Sequence, residues 1–321
     1  MTTERELTAR LASFFPSHRD VQVGIGDDAA VVRQRHKRVV MCCDPVIAGV
    51  HFTPDTDLVL VGKKAVNRNL SDLAAMGAVA DWLLVSLILP RGTSQTELNE
   101  LLCGIRSAAV SADCYVVGGD VATSPGQLVV TVSAYGHVPG RALTRAGGRA
   151  GNTLHVSGPL GGSIHGHHLR FRPALAAGVW LAQQAAVTAA LDVSDGLLLD
   201  LQTMLIASSR DGNQLGAEID ASAIPIRPAA RLFEDDKALQ HALGDGEDHV
   251  LLWSQRAGQA LPPGGPLSNR SRRAIGRVTK EPGLWLVQNG ERLPLPAVGF
   301  QHTVQRSPRS TRAKKRPRPA K

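Results

Sequence analysis

Three strand-like runs in the first 120 residues each lead into an aspartate. "DVQVGI" (20–25) precedes Asp28, "RVVMCC" (38–43) precedes Asp44, and "CYVVGG" (114–119) precedes Asp120. Their β-branched enrichment marks them as strands, and a carboxylate is too costly to bury unpaired. Each aspartate is therefore expected just past a strand end, where α/β folds place ligands. The feature thus dictates both an architecture and an edge at which its chemistry collects.

Further strands are predicted at "DWLLVSLILP" (81–90) and "QLVVTVSAYGHV" (127–138). Helices are predicted at 62–78 and 94–112; in the first, Val66, Leu70, Leu73, Ala74 and Gly77 share one face at the 3.6 period. The first half is an α/β or α+β domain. Polar and glycine-rich "TRAGGRAGN" (144–152) predicts a boundary. Domains are accordingly expected over 1–145 and 146–305. The second half is expected to carry a helix from Gly196 to Ser208, strands at "GAEID" (216–220) and "EDHVLLWS" (247–254), and a hairpin at Asn289-Gly290.

Three more aspartates join the first three. Asp72 lies on the predicted 62–78 helix with Asn69 three residues before it, on one edge of the apolar face. Asp192 and Asp195 frame Ser194 in "DVSDG", at a predicted helix N-terminus whose free N–H groups should point outward. Too few cations neighbour these carboxylates to pair them all. Short oxygen ligands on several elements suit a hard divalent cation, and Mg²⁺ binds a few carboxylates together with substrate phosphates. Glycine-rich turns such as "VVGGD" add N–H donors for anions. The joint pattern reads as a polyaspartate Mg²⁺–nucleotide site, with Asp28 as a ligand and Asp27 shaping its turn.

Composition narrows the class. The chain carries 36 basic and 28 acidic residues, but eight of the basic ones lie in the last sixteen positions, "RSPRSTRAKKRPRPAK" (306–321). The body is balanced, and the tail is expected to be disordered, with at most weak, salt-sensitive polyanion binding. No apolar run approaches a membrane span and no signal peptide opens the chain, so a cytoplasmic protein is expected. Cys42, Cys43, Cys103 and Cys114 lack metal or disulfide spacing and are expected to be small buried hydrophobes. There is no P-loop, HExxH, GxSxG or dinucleotide fingerprint. "HGHH" (165–168) is expected to form an exposed or substrate-facing loop.

"GIGDDAAV", "DPVIAGVHF", "KAVNRNLSDLAAMGA", "GGD", "GRALTRAG", "LDVSDGLLLDL" and "GDGEDHVLL" occur in the order and approximate spacing of thiamine-monophosphate kinases. Over Val21 to Phe300 the chain resembles that family of the aminoimidazole-ribonucleotide synthetase superfamily. The resemblance implies a two-domain fold, with an N-terminal sheet-and-helix domain that dimerises, a C-terminal α/β domain, and a cleft between them. ATP and thiamine monophosphate would give ADP and thiamine diphosphate. It further implies Mg²⁺ at Asp28, Asp44, Asp72, Asp120, Asp192 and Asp195, with Asp44 and Asp120 catalytic through the metal. Gly119, Asp120, Arg145 and Ser194 would contact ATP; His51, Glu247 and Phe300 would contact thiamine phosphate.

Several residues depart from the family pattern. Cys42 and Cys43 replace a usual Ser/Thr pair, Pro45 replaces Thr, "GGDVATS" lacks an Arg, and "GDGEDHV" carries Asp245, His249 and Val250 for Gly, Tyr and Glu. Two alternatives remain open: a superfamily enzyme with a different acceptor, or a non-catalytic nucleotide-binding protein recruited by its tail.

Overall fold

A computed structural model describes residues 4–27, 29–210, 213–234 and 237–300. Asp28 and the basic tail lie outside the described residues.

The first half contains α1 (Glu4–Phe14), β1 (Val21–Val23), β2 (Val31–Val32), β3 (Val39–Ile47), α2 (Leu58–Ala75), β4 (Val79–Pro90), α3 (Gln95–Ser111), β5 (Tyr115–Ser124) and β6 (Val129–His137). β1 and β2 form a small ribbon, while the other four strands make one sheet in the order β3-β6-β4-β5. Within that sheet only β4 and β5 run parallel.

Local chemistry sets the helix ends. The Asp57 side chain accepts from Val59 N at 2.8 Å, so α2 starts a turn before the predicted position. It stops where Gly77 adopts φ +69° and the Ala78 N–H reaches back to Leu73 O. Ser94 and Glu97 form a reciprocal capping box at the start of α3. As its period predicts, α2 buries Val66, Leu70, Leu73 and Ala74 completely.

α2 and α3 cross closely because Gly62 and Gly104 face each other's helix. A Cβ on Gly104 would lie 2.1 Å from Val59 O. Both helices cover the sheet face formed by Val46, Leu83, Val85, Leu87, Val130, Val132 and Ala134. The opposite face leaves Met41 66% and Ile88 37% exposed.

Two strands run further than their composition suggests. Asp44 pairs with Val132 inside β3, and Asp120 pairs with Ser86 inside β5. Neither stands past a strand end as expected, because a side chain can face a polar cleft while its backbone stays in the ladder. Between Val116 and Gly118 the β4–β5 register shifts, and Gly119 has φ +153°, with Val85 O only 1.8 Å from where a Cβ would sit.

The second half contains β7 (Thr153–Val156), α4 (His167–Arg170), α5 (Leu175–Ala182), β8 (Val187–Asp192), α6 (Leu197–Ser208), β9 (Gly216–Asp220), α7 (Ala238–Gly244), β10 (Leu251–Gln255), β11 (Gly276–Thr279), β12 (Gly283–Gln288) and β13 (Glu291–Leu295). Its seven strands are ordered β13-β12-β9-β11-β7-β10-β8. Asn289 and Gly290 both take positive φ in the β12–β13 turn, as the hairpin pair requires.

The strand expected over 247–254 begins only at Leu251. Glu247 and His249 adopt φ +51° and +49°, and their N–H groups bond Ser194 O and Val193 O instead of a sheet neighbour.

The two sheets meet across an apolar joint, where Ala74 and Ala75 of α2 pack with Leu143, Leu181 and Trp253. Gly178 allows the contact, since a Cβ there would lie 2.0 Å from Ala74 O. No helix among the described residues is long and apolar enough to cross a membrane.

Cysteine burial differs from expectation: Cys114 is buried and Cys42 half-buried, but Cys43 and Cys103 are exposed. The alternating strand sends Cys43 outward, and Cys103 stands on the outer side of α3.

Candidate active site

α2 carries most of one wall. Its Asn69, fully buried, bonds the backbone of β3 twice: Asp44 N donates to Asn69 Oδ1 at 2.9 Å, and Asn69 Nδ2 donates to Asp44 O at 3.3 Å. Asp44 is thereby clamped beside the helix, where Arg68 Nε donates to its carboxylate at 2.8 Å. One turn on, Ser71 Oγ donates to Asp192 Oδ2 at 2.7 Å. The aspartate at the end of β8 is thus tied to α2 of the other half.

Asp72 stands between these two carboxylates. Burial first, then the charges of Asp192 and Asp44, push its carboxyl up to about 7. Burial also acts to raise Asp192, but the hydrogen bond and charge of His249, the Ser71 hydroxyl and the Arg145 charge hold it below the usual carboxylate range. Cys42 hydrogen-bonds Asp72, and burial together with that carboxylate pushes its thiol far up, so it remains a donor. Its Sγ also donates to Asn69 O at 3.3 Å. In this chain the thiol therefore serves as a hydrogen-bond donor beneath the carboxylates.

Asp195 and Ser194 follow β8 in a tight turn. Their N–H groups do not point outward for an anion, as expected from the helix N-terminus. Asp200 Oδ2 accepts from Ser194 N and Asp195 N at 3.0 Å each and from Gly196 N at 3.2 Å. An acidic residue in the first turn of α6 has consumed those donors. Burial and the neighbouring Asp192 push Asp200 up to about 7, against the N–H groups that favour its ionised form.

The 245–248 turn divides three acidic residues among three tasks. Asp245 accepts from Gly162 N at 2.9 Å and pairs with His241. Asp248 is buried, accepts from Gly161 N and pairs with Arg227. Glu247 alone reaches α2, where Lys64 Nζ lies 2.8 Å from its Oε1. Burial acts to raise Glu247, but Lys64 outweighs it and holds the carboxyl low.

His51, Glu247, Phe300, Ser194 and Asp195 line one cleft of about 130 Å³, with Arg68, Asp245 and His249. The structure therefore brings together the three predicted thiamine-phosphate contacts with two of the predicted nucleotide and metal residues. Asp44, Asp72 and Asp192 form an acidic group linked to this cleft through Arg68 and His249.

Asp120 stands elsewhere. Its register partner Ser86 alternates with buried Val85 and Leu87, so Asp120 is on the open face of the sheet while Asp44 faces α2. Gly119 and Arg145 are exposed. Among the described residues no three His, Cys, Asp or Glu side chains converge closely enough to hold an ion by themselves.

The "HGHH" segment is not a loop but two short helical turns, in which His165 is exposed while His167 and His168 turn inward. His168 is buried with Nδ1 2.8 Å from Ser163 O, and His167 Nε2 lies 3.0 Å from Asp248 O. Desolvation pushes His167 down to about 4, so it packs as a neutral ring behind the cleft.

Lys64 and Asp200 fall within the family-like stretches "KAVNRNLSDLAAMGA" and "LDVSDGLLLDL", but neither is assigned a role by sequence alone. A lysine among Val61, Ala65 and Val66 on the apolar face, and an aspartate four residues past Gly196, are the signals the sequence offers for them.

Residues 26–138 match the family described as AIR synthase related protein, N-terminal domain. The thiamine-monophosphate kinase of Rhodopirellula baltica is 37% identical over 282 residues, spanning 83% of this chain and 86% of that protein. This chain belongs to the thiamine-monophosphate kinase family. Among solved structures, the thiamine-monophosphate kinase of Stenotrophomonas maltophilia K279a superposes with a TM-score of 0.75 at 32% identity, covering 90% of this chain and 97% of that one. The structure of AaThiL complexed with AMPPCP and TMP gives 0.73 at 25% identity, covering 94% and 97%. Family membership thus agrees with the mixed α/β architecture.

Proposed function

We propose that this protein transfers the γ-phosphoryl group of ATP to thiamine monophosphate, giving ADP and thiamine diphosphate. The observation that carries the reading is the cleft uniting His51, Glu247 and Phe300 with Ser194 and Asp195, beside carboxylates that repel one another. Such a group of oxygen donors fits a hard cation whose remaining ligands are water and phosphate. Several Mg²⁺ ions would be held, Asp44, Asp72, Asp192 and Asp195 with Asp28 serving those at the cleft and Asp120, on the other face of the sheet, serving a separate one; Asp44 and Asp120 would act on the reaction through their ions. Bound Mg²⁺ would neutralise phosphate charge as it approaches.

The acceptor phosphate is already anionic at neutral pH, so the protein needs no covalent intermediate and no strong base. Its task is to place two phosphates in line. Arg145 supplies a forked donor, Gly119 and Ser194 supply close backbone and hydroxyl contacts for ATP, and His51, Glu247 and Phe300 orient thiamine phosphate.

Residues 1–145 would form the ATP- and metal-binding domain and 146–305 the C-terminal α/β domain. The free thiols fit the reducing cytoplasm.

Purified protein with ATP, Mg²⁺ and thiamine monophosphate should form thiamine diphosphate, and chelation of divalent cations should stop it. Failure to turn over while ATP still binds would point to another acceptor.

The open face of the first sheet, bearing Met41, Tyr135 and Trp82 in register, is proposed to pair with a second copy of the chain. Met41→Glu should convert a dimer to a monomer in light scattering; a monomeric wild type would reject this assignment.

A further inference from the structure

Lys64 is fully buried behind the cleft, on the face of α2 that otherwise carries valine and alanine. Its Nζ donates to His51 O and lies 2.8 Å and 2.9 Å from the two oxygens of Glu247. An ammonium has three protons, and these three acceptors use them. No donor is left for a phosphate, so Lys64 does not contact substrate.

What the lysine joins is informative. His51 belongs to the turn after β3, and Glu247 to the turn before β10, 183 residues along the chain from Lys64. Each turn is also shaped locally. His51 Nδ1 accepts from Ile47 N at 3.0 Å, and Glu247 is held at φ +51° with its N–H on Ser194 O. A left-handed glutamate is strained unless its surroundings fix it. The ion pair costs desolvation that an apolar pair of similar volume would avoid. The return on the charge is placement of two side chains from opposite halves.

We infer that Lys64 is a positioning residue for the acceptor, a latch that sets the spacing between His51 and Glu247 and so selects thiamine monophosphate. The inference rests on the reading of this cleft as the thiamine-phosphate site. Of the proposed ATP contacts only Ser194 lines the cleft with Glu247, and its N–H is held by Asp200, not by the latch, so ATP affinity should feel the latch far less than thiamine monophosphate does.

The test is kinetic and includes a readout that a stability defect alone does not move. In Lys64→Met, KM for thiamine monophosphate should rise at least about tenfold, while KM for ATP stays within about twofold. Lys63→Met, its neighbour in sequence, should change neither. If Lys64→Met does not fold, Lys64→Gln keeps an amide donor for the same acceptors and should show a smaller shift in the same direction. A lowered unfolding temperature with both KM values unchanged would overturn the latch, as would equal rises in both.

Amide exchange separates the latch from the thiamine reading. Lys64→Met or Lys64→Gln should expose Glu247 and the 47–52 turn to faster exchange, whatever the acceptor. Wild type without thiamine-monophosphate turnover, yet with that faster exchange in the variant, would sink the substrate and keep the latch; unchanged exchange would sink the latch.

Discussion

Asp72→Asn should remove turnover while making the metal-free protein more stable at pH 8. Folded, the Asp72 carboxyl titrates at about 7, raised from 3.8. The folded state therefore holds this proton more tightly than the unfolded state does. Its favourable contribution is complete below about pH 4, fades between there and 7, and is gone above.

At pH 8 the ionised group faces Asp44 and Asp192. Each pKa unit corresponds to about 1.4 kcal/mol, so an uncharged amide should gain on the order of a few kcal/mol. Thermal unfolding without divalent cations should show a rise of roughly 5 °C or more, and kcat should fall about a thousandfold, equivalent to about 4 kcal/mol of barrier. A variant less stable than wild type at pH 8 would contradict the repulsion; an active variant would remove Asp72 from the metal set.

Asp200 titrates as high as Asp72, yet substitution there should behave in the opposite way. Its Oδ2 accepts from three N–H groups, one buried and two half-buried, in the turn carrying Ser194 and Asp195. Asp200→Ala leaves all three without an acceptor, at about 1–3 kcal/mol for each buried group that finds no water. Stability should fall by several kcal/mol on that basis, and activity by about a hundredfold as the turn loosens. Asp200→Asn keeps an amide oxygen for the same donors and removes a charge near Asp192. It should fold and retain activity within about tenfold. If the Asn and Ala variants lose stability equally, charge rather than acceptor geometry holds the turn.

Features set by near neighbours in the chain are legible from sequence. The capping box at Ser94 and Glu97, the apolar stripe of α2 and the Asn289-Gly290 turn all follow from spacing and propensity. What escapes depends on partners far along the chain. β3 and β5 continue through Asp44 and Asp120 because β6 and β4 lie beside them. The donors at Ser194 and Asp195 read as free because a sequence does not say where Asp200 points. Lys64 reads as one polar interruption of a helix face, and only the fold brings Glu247 to meet it. Likewise, a glutamate and a histidine in left-handed backbone read as strand residues by composition alone.

The apolar joint around Ala74, Leu181 and Trp253 bears on how the molecule comes apart. α2 contributes to the cores on both sides of it: Val66 and Leu70 to the first and Ala74 and Ala75 to the joint. Unravelling either half would strip apolar cover from a helix the other half also uses. Calorimetric melting should accordingly be cooperative, a single heat-absorption peak instead of two.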